Sequence, residues 1–160
     1  MEKYLKHLVQ CVLFKSLSES EIQNILKSVP YIIKNYEKNE VIAVEDDECN
    51  SLGIILDGNI EIHKPFPSGK VVTINHFKAG NIFGEALVFS GKHLYPATII
   101  SSDNSKIMYI DREDIVNMMT LDSRIIHNFM GVLSNRILML NNRITNLSYD
   151  TLRKKITNID

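Results

Sequence analysis

Residues 84–89 have side chains and backbone features that could bind a small polar ligand. Gly84 lets a ligand approach the backbone closely, and the Glu85 carboxylate accepts hydrogen bonds from hydroxyl or amine groups. The apolar run 86–89 predicts a short helix that begins at the Gly-Glu pair. Because the first N–H groups of a helix have no intrahelical partner, they can hold an anion or another acceptor. The segment lies between strand candidates, so we expect a ligand site where this helix interrupts a β domain.

The chain lacks the sequence motifs of common catalytic and metal-binding sites. We find no nucleophile elbow, zinc-protease motif, phosphate-binding P-loop or dinucleotide fingerprint, so we expect no enzymatic activity. The two cysteines, Cys11 and Cys49, do not have the spacing of a metal site or a disulfide framework. The histidines likewise lack metal-ligand spacing. We therefore expect no metal and no resident cofactor, although a small-molecule effector is possible.

Length and composition indicate a soluble domain with an appendage. The chain has 160 residues, 44% hydrophobic residues and a net charge of −1, so it lacks the basic character of a nucleic-acid-binding chain. No apolar run approaches the ~20 residues that span a bilayer. The N-terminal segment is interrupted by charges and has no cleavage site, which is unlike a signal peptide. We expect a cytoplasmic protein without a membrane partner.

The hydrophobic periodicity predicts helices at both ends and strands between them. Residues 5–14 predict a first helix, and Ser18 with Glu21 forms a capping box for a second helix that Pro30 ends. Period-two segments predict about eight short strands, and Asp57-Gly58 predicts a hairpin turn. The predicted fold class is α+β, mainly β. It is a double-stranded β-helix, or jelly-roll barrel, flanked by N-terminal helices and a long C-terminal dimerisation helix.

The long helix, predicted over residues 123–147, has apolar residues at alternating steps of four and three. The positions of this seam are Ile126, Met130, Leu133, Ile137, Leu140, Ile144 and Leu147. A core-packed helix usually has a wider apolar face, whereas the other faces here carry polar residues that include Asn128 and Arg136. The narrow heptad seam predicts a parallel homodimer through this helix.

The order of these features resembles the cyclic-nucleotide-binding fold of Crp/Fnr-type bacterial transcription regulators. The resemblance rests on the Phe83-Gly84-Glu85 core, the upstream Asp57-Gly58 turn and the long helix downstream. In that family a phosphate-binding cassette cradles a cyclic phosphate, an arginine pairs with the phosphate, and the glutamate holds a ribose hydroxyl. Here Tyr95 stands in place of the arginine, and Pro96, which has no N–H, stands in place of a small donor. The resemblance therefore implies an effector other than cyclic AMP.

The expected effector site combines the cassette, the strand that follows it and the long helix. Its predicted residues are Gly84, Glu85, Ala86, Tyr95, Pro96, Ala97, Thr98, Leu140 and Asn141. Leu140 and Asn141 are the long-helix residues expected nearest the pocket. Glu85 either contacts the ligand or braces a pocket that binds nothing. Tyr95 either covers an effector or belongs to the core.

The resemblance also implies a domain organisation. Residues 1–119 are expected to form the sensor domain, 120–148 the dimerisation helix, and 149–160 the start of a truncated helix-turn-helix domain. DNA would be bound only through the missing remainder of that domain. Two alternatives remain: a cyclic-nucleotide-binding regulatory module of a signalling protein, and a cupin-like enzyme, since cupins share the jelly roll.

Overall fold

The computed structural model describes residues 2–157. The helical elements are α1 (Glu2–Leu8), a 3₁₀ helix (Val12–Phe14), α2 (Glu19–Leu26), α3 (Arg112–Leu121) and α4 (Ser123–Thr157). The strands are β1 (Ile32–Tyr36), β2 (Val41–Ala43), β3 (Ser51–Asp57), β4 (Asn59–Pro65), β5 (Val71–Lys78), β6 (Ile82–Phe83), β7 (Thr98–Ser101) and β8 (Ser105–Asp111).

The strands form two four-stranded antiparallel sheets, ordered β1-β8-β3-β6 and β2-β7-β4-β5. Apolar side chains from both sheets meet in one buried cluster, which includes Ile55 and Ile107 from the first sheet and Ile60 and Ile99 from the second. A second cluster lies between the first sheet and the helices. The predicted jelly-roll fold is thus confirmed, as two facing sheets instead of a closed barrel.

The Asp57-Gly58 turn is a corner between the sheets, so the predicted hairpin is wrong. β3 and β4 belong to different sheets, and β4 pairs instead with β5 around a turn at residues 66–70. Gly58 has φ +91°, and a Cβ at this position would overlap Ser105 and the backbone of Asn104. The Ser105 hydroxyl accepts from the Asn59 N–H (3.2 Å), which ties the corner to the start of β8. Local turn residues could not reveal this distant contact.

The N-terminal helices are shorter than predicted. The helix expected over residues 5–14 ends at Leu8, and the chain resumes as the 3₁₀ helix after an extended Cys11. The Val12 N–H donates to the Gly80 carbonyl (3.0 Å), a tertiary bond that competes with helix continuation. The capping box of Ser18 and Glu21 is confirmed, but α2 ends at Leu26, before Pro30.

Helix α4 is longer than predicted, because it continues through Thr157 instead of ending at residue 147. Of the segment 149–160, predicted as the start of a helix-turn-helix domain, residues 158–160 lie outside the described residues. Ile125 and Phe129 of α4 are buried in the core. Asn128, predicted on a polar outer face, is also buried, and its amide donates to the Leu13 carbonyl at 2.9 Å and the Lys15 carbonyl at 2.8 Å. These bonds tie α4 to the 3₁₀ helix and to the residue that follows it.

Within residues 2–157, none of the helices combines the length and hydropathy that crossing a bilayer requires.

Candidate functional site

The cassette of this chain, residues 84–89, folds as consecutive turns, so the predicted short helix is not formed. The N–H groups of Leu87 and Val88 both donate to the Gly84 carbonyl at 3.0 Å, which makes a single turn around one acceptor. Gly84 has φ +86°, a value outside the helical region. A Cβ on Gly84 would lie 3.0 Å from the Cys49 sulfur and 3.3 Å from the Ser51 carbonyl oxygen. Glycine therefore allows this segment to pack against β3.

A cavity of about 220 Å³ lies between the cassette, the second sheet and α4. Six of the predicted site residues line it, namely Gly84, Glu85, Ala86, Tyr95, Pro96 and Ala97. The remaining lining residues are Ile62, Asn75, Phe77, Phe83, Leu87, Ile99 and Arg136. The cavity is thus mainly apolar, with few charged or polar side chains, as is usual for a small-molecule site.

Three predicted residues, Thr98, Leu140 and Asn141, do not line this cavity. The Thr98 hydroxyl instead accepts from the Glu45 N–H at 3.3 Å. Leu140 lines a neighbouring groove between α4 and β5, and Asn141 is exposed. The placement of Leu140 and Asn141 nearest the pocket is therefore corrected: α4 reaches the cavity about one turn earlier, at Arg136.

Arg136 and Glu85 form an ion pair at the polar end of the cavity. Nη1 of Arg136 donates to Oε1 of Glu85, and Nη2 donates to the Ile82 carbonyl at 2.7 Å. The guanidinium carbon lies 4.6 Å from the centre of the Phe77 ring, in cation–π geometry. Burial lowers the pKa of the Arg136 guanidinium to about 10, so the group remains protonated at neutral pH.

Glu85 has one unused acceptor. Its side chain is only 4% exposed, and its Oε2 atom is buried without a hydrogen-bond partner among residues 2–157. A buried carboxylate oxygen without a donor is costly. Glu85 is therefore braced through one oxygen by Arg136 and can accept a ligand donor through the other.

Sequence reasoning missed Arg136, because it placed this residue on the polar side of the long helix. A signal was present: Ile125, Phe129, Val132 and Arg136 follow one another at steps of four, three and four. That spacing places the arginine on the same face as the buried residues that join α4 to the sheets. An arginine at the end of a core-facing stripe is a candidate for a buried ion pair.

Tyr95 belongs to the core and also forms part of the cavity wall. It is 7% exposed and packs in the buried cluster between the two sheets, which also contains Cys49. Burial raises the pKa of the Tyr95 hydroxyl and of the Cys49 thiol, which keeps both groups neutral. Its neighbour Pro96 presents a carbonyl that accepts from the Lys64 ammonium at 2.9 Å. Tyr95 thus offers a ligand mainly its ring.

The described part of the chain contains no group of three or more His, Cys, Asp or Glu side chains arranged to hold a metal ion.

Comparison with known proteins identifies the same fold. The family model of the cyclic nucleotide-binding domain matches residues 33–122, whereas no curated protein matches the chain. A transcriptional regulator from Thermotoga maritima is 21% identical with a TM-score of 0.70, covering 80% of this chain and 98% of its own. The Thermus thermophilus catabolite activator protein is 19% identical with a TM-score of 0.75, and the match covers 86% of this chain and 63% of that protein.

The sensor domain of the transcriptional regulator DNR from Pseudomonas aeruginosa is also similar. It is 20% identical with a TM-score of 0.70, and the match covers 90% of this chain and 93% of that domain. These similarities confirm the predicted jelly-roll fold with helices at both ends.

Proposed function

Since this chain belongs to the cyclic-nucleotide-binding domain family, we propose that it is the effector-sensing and dimerisation part of a Crp/Fnr-type transcription regulator. The observation that carries the proposal is the ion pair of Glu85 with Arg136. It connects the ligand cavity directly to the helix that carries the exposed heptad seam. A ligand that changes this contact would change how α4 is held, which is the coupling that an effector-controlled regulator requires.

The cavity favours a small, partly apolar effector that brings a hydroxyl or amine to Glu85. The free Oε2 of Glu85 requires a donor, and the surrounding walls include Phe77, Phe83 and Tyr95. Among the lining residues, Arg136 is the cation, and it is already engaged by Glu85 and Ile82. A cyclic phosphate in this cavity would therefore lie near the Glu85 carboxylate, and no lining residue would offer it an unpaired positive charge.

We expect cyclic AMP and cyclic GMP to bind no tighter than ~100 μM, which corresponds to about −5.5 kcal/mol. The physical reason is that Tyr95 and Pro96 occupy the positions from which the family supplies charge and an N–H donor to the phosphate. Isothermal titration calorimetry on the intact protein measures this directly. A micromolar dissociation constant for either nucleotide would contradict the proposed effector class.

Dimerisation is proposed through the seam on α4. Six seam side chains are between 43% and 67% exposed in the single chain, namely Ile126, Met130, Ile137, Leu140, Ile144 and Leu147. Leu133 differs, because it packs partly against the chain's own core. An apolar stripe of this length is unfavourable in water and matches the a/d pattern of a two-helix interface. The proposed partner is a second copy.

DNA binding would belong to a domain that follows the sensor. In this proposal residues 1–119 form the sensor, 120–148 the dimerisation helix and 149–160 the start of the DNA-reading domain. The structure shows no helix break near residue 148, so any hinge at that boundary would have to form within α4. The proposed role is regulatory and involves no catalysis. It places the protein in the cytoplasm.

A further inference from the structure

Arg136 marks the point at which α4 leaves the rest of the molecule. It is half-buried, whereas every side chain from 137 to 156 is exposed. At 1.5 Å per residue this exposed part of the helix is about 30 Å long. Arg136 is therefore the last partly buried side chain of α4, and the residues that follow it, such as Leu140, only line the open groove beside β5.

The groups that hold the Arg136 guanidinium all come from the β domain. They are Oε1 of Glu85, the Ile82 carbonyl and the ring of Phe77. Together they supply two acceptors and an aromatic face, the set that recognises a planar, delocalised cation. If the arginine side chain moved away, a binding site for such a cation would remain at the end of an apolar cavity.

Arg136 binds only one of the two carboxylate oxygens of Glu85. The other, Oε2, has no hydrogen-bond partner in the described structure. An amidinium or guanidinium group entering from the cavity could donate to both oxygens in a bidentate arrangement. It would also return the positive charge that a buried carboxylate needs. A neutral donor could bind Oε2 and leave Arg136 in place, whereas an anion would be repelled by the carboxylate.

We propose that Arg136 is a built-in occupant of a site for planar organic cations, and that a ligand with an amidinium or guanidinium group replaces it and frees α4. This inference rests on the proposed function in so far as the same cavity is the effector site. It narrows the effector to a cation with a flat, multi-donor head and a small apolar body. It also makes Arg136 the positioning residue that connects ligand binding to the helix.

The first test is calorimetric titration of the intact protein with benzamidine, using the isosteric neutral benzamide as the ligand control. Arg136→Ala should bind benzamidine at least roughly tenfold tighter than the unmodified protein, since the competing side chain is gone. Arg143→Ala is the matched control, because Arg143 lies on the exposed part of α4 and lines only the neighbouring groove, not the cavity. Adding Glu85→Gln to Arg136→Ala should abolish the gain.

Equal benzamidine affinity in Arg136→Ala and Arg143→Ala would overturn the proposal. Binding of benzamide to Arg136→Ala as tightly as benzamidine would overturn it as well. Circular dichroism checks that the variants fold. Arg136→Lys serves as a second variant that keeps the charge, and it should bind benzamidine with an affinity between those of the unmodified protein and Arg136→Ala. A lysine point charge cannot reproduce the fork that spans Glu85 and Ile82.

Hydrogen exchange tests the release of α4 without any ligand. Amides of residues 134–143 should exchange faster in Arg136→Ala than in Arg143→Ala, because Arg136 is the residue that hydrogen-bonds to Glu85 and Ile82 of the β domain. Unchanged exchange would refute the coupling to α4. Failure to find a natural effector, or a monomeric protein, would count against the proposed function but would leave these two comparisons intact.

Discussion

We expect the double substitution Ile137→Asp and Leu140→Asp to convert the protein to monomers. Both side chains lie on the heptad seam and are 60% and 57% exposed in the single chain. Burying each in a dimer contributes about 1.5–3 kcal/mol, and the substitution replaces this gain by four carboxylates facing one another across the two-fold axis. Leu133 is left unchanged because it also packs against the chain's own core.

The matched control is Leu138→Asp with Asn142→Asp, which adds the same charge to the same turns of α4 outside the seam. Analytical ultracentrifugation should find the control dimeric and the seam variant monomeric. A dimer that survives the seam substitutions, or an unmodified protein that is monomeric at micromolar concentration, would show that α4 does not form the interface.

Substitutions at Gly53 and Phe83 are expected to cause the largest losses of folding stability. A Cβ on Gly53 would overlap the ring of Phe83, which is 2% exposed and packs edge-on against Tyr109 with ring centres 6.2 Å apart. Phe83→Ala should lower the free energy of unfolding by about 3–5 kcal/mol through lost burial and a residual cavity. Gly53→Ala should lower it by about 1–3 kcal/mol through overpacking.

A double-mutant cycle separates this contact from general damage to β3. Gly53→Ala should cost much less in the Phe83→Ala background, because the ring that the new methyl group would strike is absent. Urea unfolding monitored by circular dichroism gives the four free energies. The same cost for Gly53→Ala in both backgrounds would show that the close contact with Phe83 does not determine the need for glycine.

The sequence predicts features that depend on neighbouring residues. The capping box at Ser18 and Glu21 is local, and the alternation of apolar and polar residues in β4 has a period of two, whereas β3 is buried along most of its length and β6 has only two residues. The seam on α4 is likewise a local pattern, and the structure leaves most of it exposed. In each case the residues that define the feature lie within a few positions of one another.

The features that sequence reasoning missed depend on distant contacts. The Asp57-Gly58 pair has hairpin chemistry, yet its geometry is fixed by Asn104 and Ser105, which follow more than forty residues later. Arg136 meets Glu85 across a separation of 51 residues. No periodicity within the cassette could indicate that its cation comes from α4, because that pairing exists only after the helix packs on the sheets.

The structure shows the bracing role that one interpretation of Glu85 gave it, whereas contact with a ligand stays a prediction. One oxygen braces the cassette through Arg136, and the other faces no donor. A residue that is held in place and still lacks one partner is well suited to bind a ligand, because its orientation is set before the ligand arrives.

We expect the cavity around Glu85 to bind a small effector. A thermal-shift screen of amines, amidines, alcohols and aromatic acids on the unmodified protein and Glu85→Gln measures this binding. Glu61→Gln is the control, since Glu61 pairs with His63 and does not line the cavity.

A ligand at about 100 times its dissociation constant adds ~2.7 kcal/mol to the free energy of unfolding. We expect at least one compound with a donor group and an apolar body to raise the melting temperature of the unmodified protein and Glu61→Gln but not of Glu85→Gln. No shift with any compound, or equal shifts in all three proteins, would show that Glu85 does not bind an effector in this cavity.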